Sequence, residues 1–203
     1  ILLMRQRKSQ GYKYFVGVDP AISTDGDYNV IIVLEVDDNK NKTVIFVDRS
    51  KNVEFRENIN KLKLIGQLFQ PNTFAKSFTQ ELRNETDLNV HDFTTTRKKK
   101  EEIILNLQMN IENHKIVFPR GNEESKRVTD NILEELSMFA ITDTGRFEGV
   151  GAHDDLVMGL ALANAATHQL MDNFILLDDI DIFNTSNDKP SNILGGGILG
   201  LNF

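Results

Sequence analysis

Three short β-branched runs crowd the first quarter of the chain and constrain its fold more than any other feature. The first is Tyr14-Phe15-Val16-Gly17-Val18, which stops at Asp19-Pro20. Proline has no N–H to give to a ladder and cannot continue a central strand, so Asp19 is expected at the end of a buried strand. Residues 21–27 are rich in turn formers, and Val30 to Val36 read as a second strand. Asp37-Asp38-Asn39-Lys40-Asn41-Lys42 reads as a polar hairpin loop, and Thr43 to Val47 as the third strand. Three consecutive strands joined by short turns predict an antiparallel meander.

The periodicity then changes. Ile59, Leu62, Ile65, Leu68 and Phe69 fall at helical spacing, which predicts a helix over 54–69 ended by Pro71-Asn72. Phe74, Phe78 and Leu82 recur every four residues and predict a second helix. Val90 to Phe93 reads as a short strand, and 99–113 as a helix with Ile103, Ile104, Leu107 and Ile111 on one face. Lys115 to Pro119 reads as a short strand, 125–139 as a helix through Val128, Ile132, Leu133 and Leu136, and 154–170 as a final helix rich in Ala and Leu. Beyond Leu170 the composition turns acidic, then polar, then glycine-rich. The expected division is a linker over 1–12, a single α/β domain over 13–170 and a tail over 171–203 that packs poorly or docks on a partner.

Composition narrows the chemistry. The chain has no cysteine, which excludes a disulfide scaffold, a thiolate zinc site and a cysteine nucleophile. Its net charge is -7, so nucleic-acid binding must rest on a local patch or on metal ions. No apolar run approaches the roughly 18 residues of a membrane span, and no membrane partner is expected. The Gly195-Gly196-Gly197 run has no following Gly-Lys-Ser/Thr and is no phosphate loop. A chain opening on Ile1 reads as a piece of something longer.

Carboxylates gather at two places where a sheet end and a helix start could meet. Asp19 ends the first strand, and Asp154 and Asp155, preceded by His153, open the last helix. Hard divalent cations take oxygen ligands, and two of them about 3.5–4 Å apart stabilise the attacking and leaving oxygens of a phosphodiester displacement. Each place also has an ordinary explanation. Asp-Pro makes turns, Asp-Asp caps helices, and a lone histidine is commonly structural. Arg97-Lys98-Lys99-Lys100 is the strongest basic cluster; it is a candidate phosphate contact or a solvated helix start half neutralised by Glu101 and Glu102.

A meander followed by αβα, with acids at these positions, suggests a ribonuclease H-like mixed sheet flanked by helices. The strings Gly17-Val18-Asp19-Pro20-Ala21 and Gly26-Asp27-Tyr28 resemble the opening of the nuclease domain of tailed-phage large terminases. Thr94-Thr95-Thr96 with its lysines, and Asn113 to Pro119, resemble the middle of that domain. Gly151-Ala152-His153-Asp154-Asp155-Leu156-Val157-Met158-Gly159 resembles its closing motif. The resemblance spans roughly 13–170. It implies a metal-dependent endonuclease that cuts double-stranded DNA during genome packaging, using two Mg2+ or Mn2+ ions and leaving 3′-hydroxyl and 5′-phosphate ends. By it, Asp19 is the first metal ligand and Asp155 the last, with Asp154 as a catalytic alternative; Met158 stands where related resolvases often have a fourth acid. It also implies a portal protein, a small terminase subunit and an ATPase domain of the same parent chain as partners, acting in the host cytoplasm.

One departure stands out. The family places a Glu or Asp on a strand after the first helix, and no β-type run with a carboxylate appears there. Either 64–69 is that strand and Gln70 holds the acidic position, or a strand is absent between Asn72 and Thr73; the helical spacing of 59–69 favours absence. Glu81 is a poor substitute inside the expected second helix. A resolvase-like nuclease and a non-catalytic docking module that binds the portal remain the rival readings.

Overall fold

The structure, a computed structural model, describes residues 2–3, 11–21, 28–71, 73–76, 89–93, 96–141, 147–149 and 154–169. The predicted meander is present as β2 (Lys13–Asp19), β3 (Asn29–Val36) and β4 (Lys42–Ser50), paired antiparallel in sequence order. Two strands extend it in parallel: β5 (Thr73–Lys76) lies beside β2, and β6 (Val90–Asp92) beside β5. At the other edge β4 is flanked by β1 (Leu2–Leu3), antiparallel, and by β7 (Ile116–Val117), parallel. A separate hairpin pairs β8 (Phe139–Ile141) with β9 (Phe147–Gly149), which the periodicity did not reveal.

Four helices are seen among the described residues, and they divide between the two faces of the sheet. α1 (Phe55–Phe69) buries Ile59, Leu62, Ile65 and Phe69 against Tyr14, Val16, Val18, Ile31 and Val33. α2 (Arg97–Glu112), α3 (Glu123–Met138) and α4 (Asp155–Gln169) cover the opposite face, over Phe15, Val30, Ile32 and Leu34. The alternation along β2 and β3 therefore sends successive residues to two different cores. Polar pairs pin α1 to the sheet: Asn58 and Asn29 exchange amide hydrogen bonds, and Lys61 Nζ lies 2.9 Å from the buried Asp48.

The sequence expectations fail around residue 70. α1 runs to Phe69, so 64–69 is not a strand, and Gln70 is its exposed C-cap in a left-handed conformation. The strand judged absent is present: it is β5, at 73–76, where a helix was expected to begin. Four residues suffice because β2 supplies a parallel template, a long-range effect that local periodicity does not report. The rest of that expected helix, Phe78, Glu81 and Leu82 included, lies outside the described residues, as does the Asn72 end of the proposed gap. Leu68, expected in the core, is 42% exposed.

Sheet and helix approach backbone to backbone at Gly17. A Cβ there would fall on the Gly159 carbonyl oxygen and the Ala163 nitrogen, inside van der Waals contact, and 2.8 Å from Ala163 Cα. Gly159 in turn sits against Val30 and Ile32, the cross-strand partners of Asp19 and Gly17. All the crowding atoms at Gly17 are backbone, so no rotamer change relieves them. Gly17→Ala should therefore cost about 3 kcal/mol or more, read as a fall in the urea midpoint of unfolding.

The C-terminal end of α4 meets a group of cations. Lys42 is buried, bonded through Nζ to Asn110, and burial with the nearby Lys115 and Lys40 charges lowers its pKa to about 8. Burial, then the Lys42 and Lys40 charges, lower the His168 pKa from 6.5 to about 4. The folded state thus binds fewer protons than the unfolded chain between those values, and stability must rise with pH across that window. Acidification from pH 6.5 to 4 should weaken the fold, and His168→Gln should flatten that part of the profile in urea titrations.

Candidate active site

The geometry starts from Asp19. On β2, Phe15 and Gly17 face α4, and Asp19, two residues on, shares their side of the strand at its C-terminal end. Straight across the sheet lie Val30 and then Arg49, so Asp19, Val30 and Arg49 form one cross-strand row. α4 reaches that row with its first turn. Gly159 packs on Val30, and Asp155 is one helical turn nearer the N-terminus. Asp19 and the Asp154-Asp155 pair therefore come to one face and one edge of the sheet. His153 lies outside the described residues.

The two adjacent aspartates have different tasks. The Asp154 carbonyl accepts the Met158 N–H at 2.9 Å, which makes Asp154 the N-cap of α4. Its side-chain Oδ2 lies 2.9 Å from Lys100 Nζ. Asp155 is the first residue inside the helix and is half buried. Asp154 and Asp155 both sit at the positive end of the helix dipole, where negative charge is favoured.

The basic cluster occupies the first turn of α2, whose N-cap Thr96 accepts the Lys99 N–H. Four cations at a helix N-terminus oppose the dipole. Three find anions: Arg97 with Glu101 at 2.8 Å, Lys98 with Glu102 at 3.9 Å, and Lys100 with Asp154. The first two are exposed i,i+4 pairs, which are weak and easily exchanged for another anion. Lys100 is different, because its ammonium stands beside the carboxylate site.

Two residues here escaped the sequence reading. Glu135 of α3 is buried, with Oε1 2.7 Å from Arg49 Nη2 and Oε2 accepting the Leu156 N–H at 2.9 Å. Burial raises its pKa; the Arg49 charge and the Leu156 amide oppose the rise, and the Asp155 charge adds to it. Arg49 also lies 4.0 Å over the Tyr28 ring. The signal was faint: Glu135 falls on the apolar stripe of its helix, with Ile132, Leu136 and Phe139.

β5, the parallel neighbour of β2, carries no acid. Lys76 is in register with Val18, and Asp92 at the end of β6 is in register with Lys76, on the same edge of the sheet. Among the described residues no group of three or more His, Asp or Glu side chains is close enough to hold a metal ion. The available donors are carboxylate oxygens from β2 and α4. Magnesium is commonly held by one or two carboxylates, with water and substrate phosphate completing its shell, so this donor set fits one hard divalent ion.

No protein-family model matches the chain, and no curated protein does. Solved structures do. The Thermus phage P74-26 large terminase nuclease domain aligns over 80% of this chain and 83% of its own, at 22% identity and a TM-score of 0.63. The large terminase nuclease from thermophilic phage G20c with bound magnesium aligns over 79% and 84%, at 22% identity and a TM-score of 0.61. The nuclease domain of the bacteriophage SPP1 large terminase with bound Mn aligns over 79% and 88%, at 11% identity and a TM-score of 0.53. The mixed sheet with helices on both faces, and its order of elements, give this chain the ribonuclease H-like fold of the phage large-terminase nuclease domains.

Proposed function

We propose that this chain is a divalent-metal-dependent endonuclease domain that cuts double-stranded DNA during genome packaging. The observation that carries the reading is the meeting of the Asp19 end of β2 with the first turn of α4 on one sheet edge. The fold, shared with nuclease domains solved with magnesium and with manganese, supports it. In this reading Asp19 and Asp155 hold Mg2+ or Mn2+, and Asp154 stands by as an outer carboxylate. A second ion of the same kind, as the resemblance implies, completes the proposed two-metal site. The portal, the small terminase subunit and the ATPase domain of a parent chain are the proposed partners, and the host cytoplasm the proposed place of action.

The bound ion supplies a Lewis acid and a water of lowered pKa. The remaining work falls to the protein. The carboxylates of Asp19 and Asp155 concentrate negative charge that holds cations and keeps DNA phosphates away until a cation is present. Lys100, beside Asp154, is placed to take a phosphate oxygen, and the exchangeable Arg97 and Lys98 extend that contact along the backbone. Binding of this sort is independent of base sequence and weakens steeply with salt. The expected products carry 3′-hydroxyl and 5′-phosphate ends.

A second reading has one observation in its favour. β5 offers Lys76 next to Val18 and no carboxylate within Thr73–Lys76, as suits a docking module that binds a portal without cutting. Cleavage of supercoiled plasmid in Mn2+ separates the two. Asp19→Asn and Asp155→Asn should each take the rate to background, and Asp154→Asn should leave a measurable part of it. A wild-type chain that never cuts would sink the nuclease reading and leave the docking one.

Linear duplex and four-way junction DNA, offered at equal concentration, test the substrate. Linear DNA should be cut at least as fast; a strong preference for the junction would move the chain to the resolvase-like nucleases.

A further inference from the structure

An α-helix begins with N–H groups that its own carbonyls cannot satisfy, and an Asp at the N-cap ordinarily accepts one of them through its side chain. The Asp154 side chain is directed to Lys100 instead. The vacant capping position is filled from another helix, because Glu135 Oε2 accepts the Leu156 N–H. The other oxygen of Glu135 is bound by Arg49, which stands in the cross-strand row of Asp19 and Val30 and is steadied by the Tyr28 ring. One carboxylate thus joins the sheet row that ends in Asp19 to the helix turn that begins with Asp154 and Asp155. Both of its oxygens are engaged within the protein, one by each element.

We infer that Glu135, held by Arg49, is a positioning residue of the carboxylate site: it caps α4 in place of Asp154 and sets Asp155 relative to Asp19. The inference rests on the proposal that these aspartates bind a divalent ion. Glu135 touches no reacting atom, and its effect passes through the backbone of Leu156. A buried carboxylate between a guanidinium and a helix N-terminus is also a stabilising contact, so loss of stability alone does not distinguish the role.

The test uses the full chain and Mn2+ alone, without DNA. Mn2+ affinity is measured by calorimetry, amide exchange at Leu156 by NMR, and the unfolding midpoint in parallel. Glu135→Gln keeps an acceptor for the Leu156 N–H but gives up the charge that holds Arg49; Glu135→Ala gives up both. Loss of an outer-shell partner commonly costs 10–100-fold in metal affinity. Glu135→Gln should weaken Mn2+ binding by about tenfold and Glu135→Ala further, with faster Leu156 exchange in the alanine variant. Asp48→Asn breaks the Lys61 pair on the α1 face and serves as the control, lowering the midpoint while leaving Mn2+ affinity as it was. If Glu135→Ala does not fold, Glu135→Gln and Arg49→Lys carry the comparison.

Wild-type Mn2+ affinity in the Glu135 variants, with Asp19→Asn abolishing binding, would overturn the positioning role and spare the metal site. An equal loss of affinity in Asp48→Asn would overturn it too, by reducing the effect to stability. No Asp19-dependent Mn2+ binding by the wild-type chain would defeat the metal reading, and the positioning role with it.

Discussion

Backbone-to-backbone contact between β2 and α4 is the constraint from which the rest of the arrangement follows. A helix normally stands off a sheet by the length of two side chains. At Gly17 that spacing vanishes, and the Gly159 carbonyl and Ala163 backbone rest on the strand. The consequence is positional. A helix seated this closely cannot slide or roll, so its N-terminus falls at a fixed place over the C-terminal edge of β2. α4 is buried along nearly its whole length, beneath α2 and α3, and accordingly shows little amphipathic character.

Charge is sorted along the axis of this helix. Its N-terminal end holds Asp154 and Asp155, and its C-terminal end holds His168 among Lys40, Lys42 and the region of Lys115. The first arrangement agrees with the helix dipole. At the other end the cations crowd one another, and His168 stays neutral near pH 7, because burial and neighbouring lysines make its protonation costly. At the acidic end Lys100 is paired with Asp154, and Arg49 with Glu135.

Much of the fold was legible because its strands are short, β-branched and closely spaced. The meander, three of the four described helices' buried faces and the strand-end position of Asp19 follow from periodicity and from Pro20 alone. β5 was not legible. Thr73-Phe74-Ala75-Lys76 has no strong strand character, and the phenylalanine spacing beyond it imitates a helix. Its conformation is imposed by β2, a partner more than fifty residues earlier in the chain. The hairpin of β8 and β9 is of the same kind, since two three-residue strands carry too few residues to show a period.

The sequence by itself determined where residue types suited to metal and phosphate chemistry stand: Asp19 after a strand, Asp154-Asp155 before a helix, and the cations of 97–100. Those are properties of residue type and local punctuation. Only the tertiary structure decided how they are shared out. It gave Lys100 to Asp154, brought Arg49 into the row of Asp19, and lent Glu135 to the helix that Asp154 leaves uncapped. These pairings join residues 21 to 54 positions apart, where local pattern carries no information. Their geometry depends on one close approach between a strand and a helix from opposite ends of the domain.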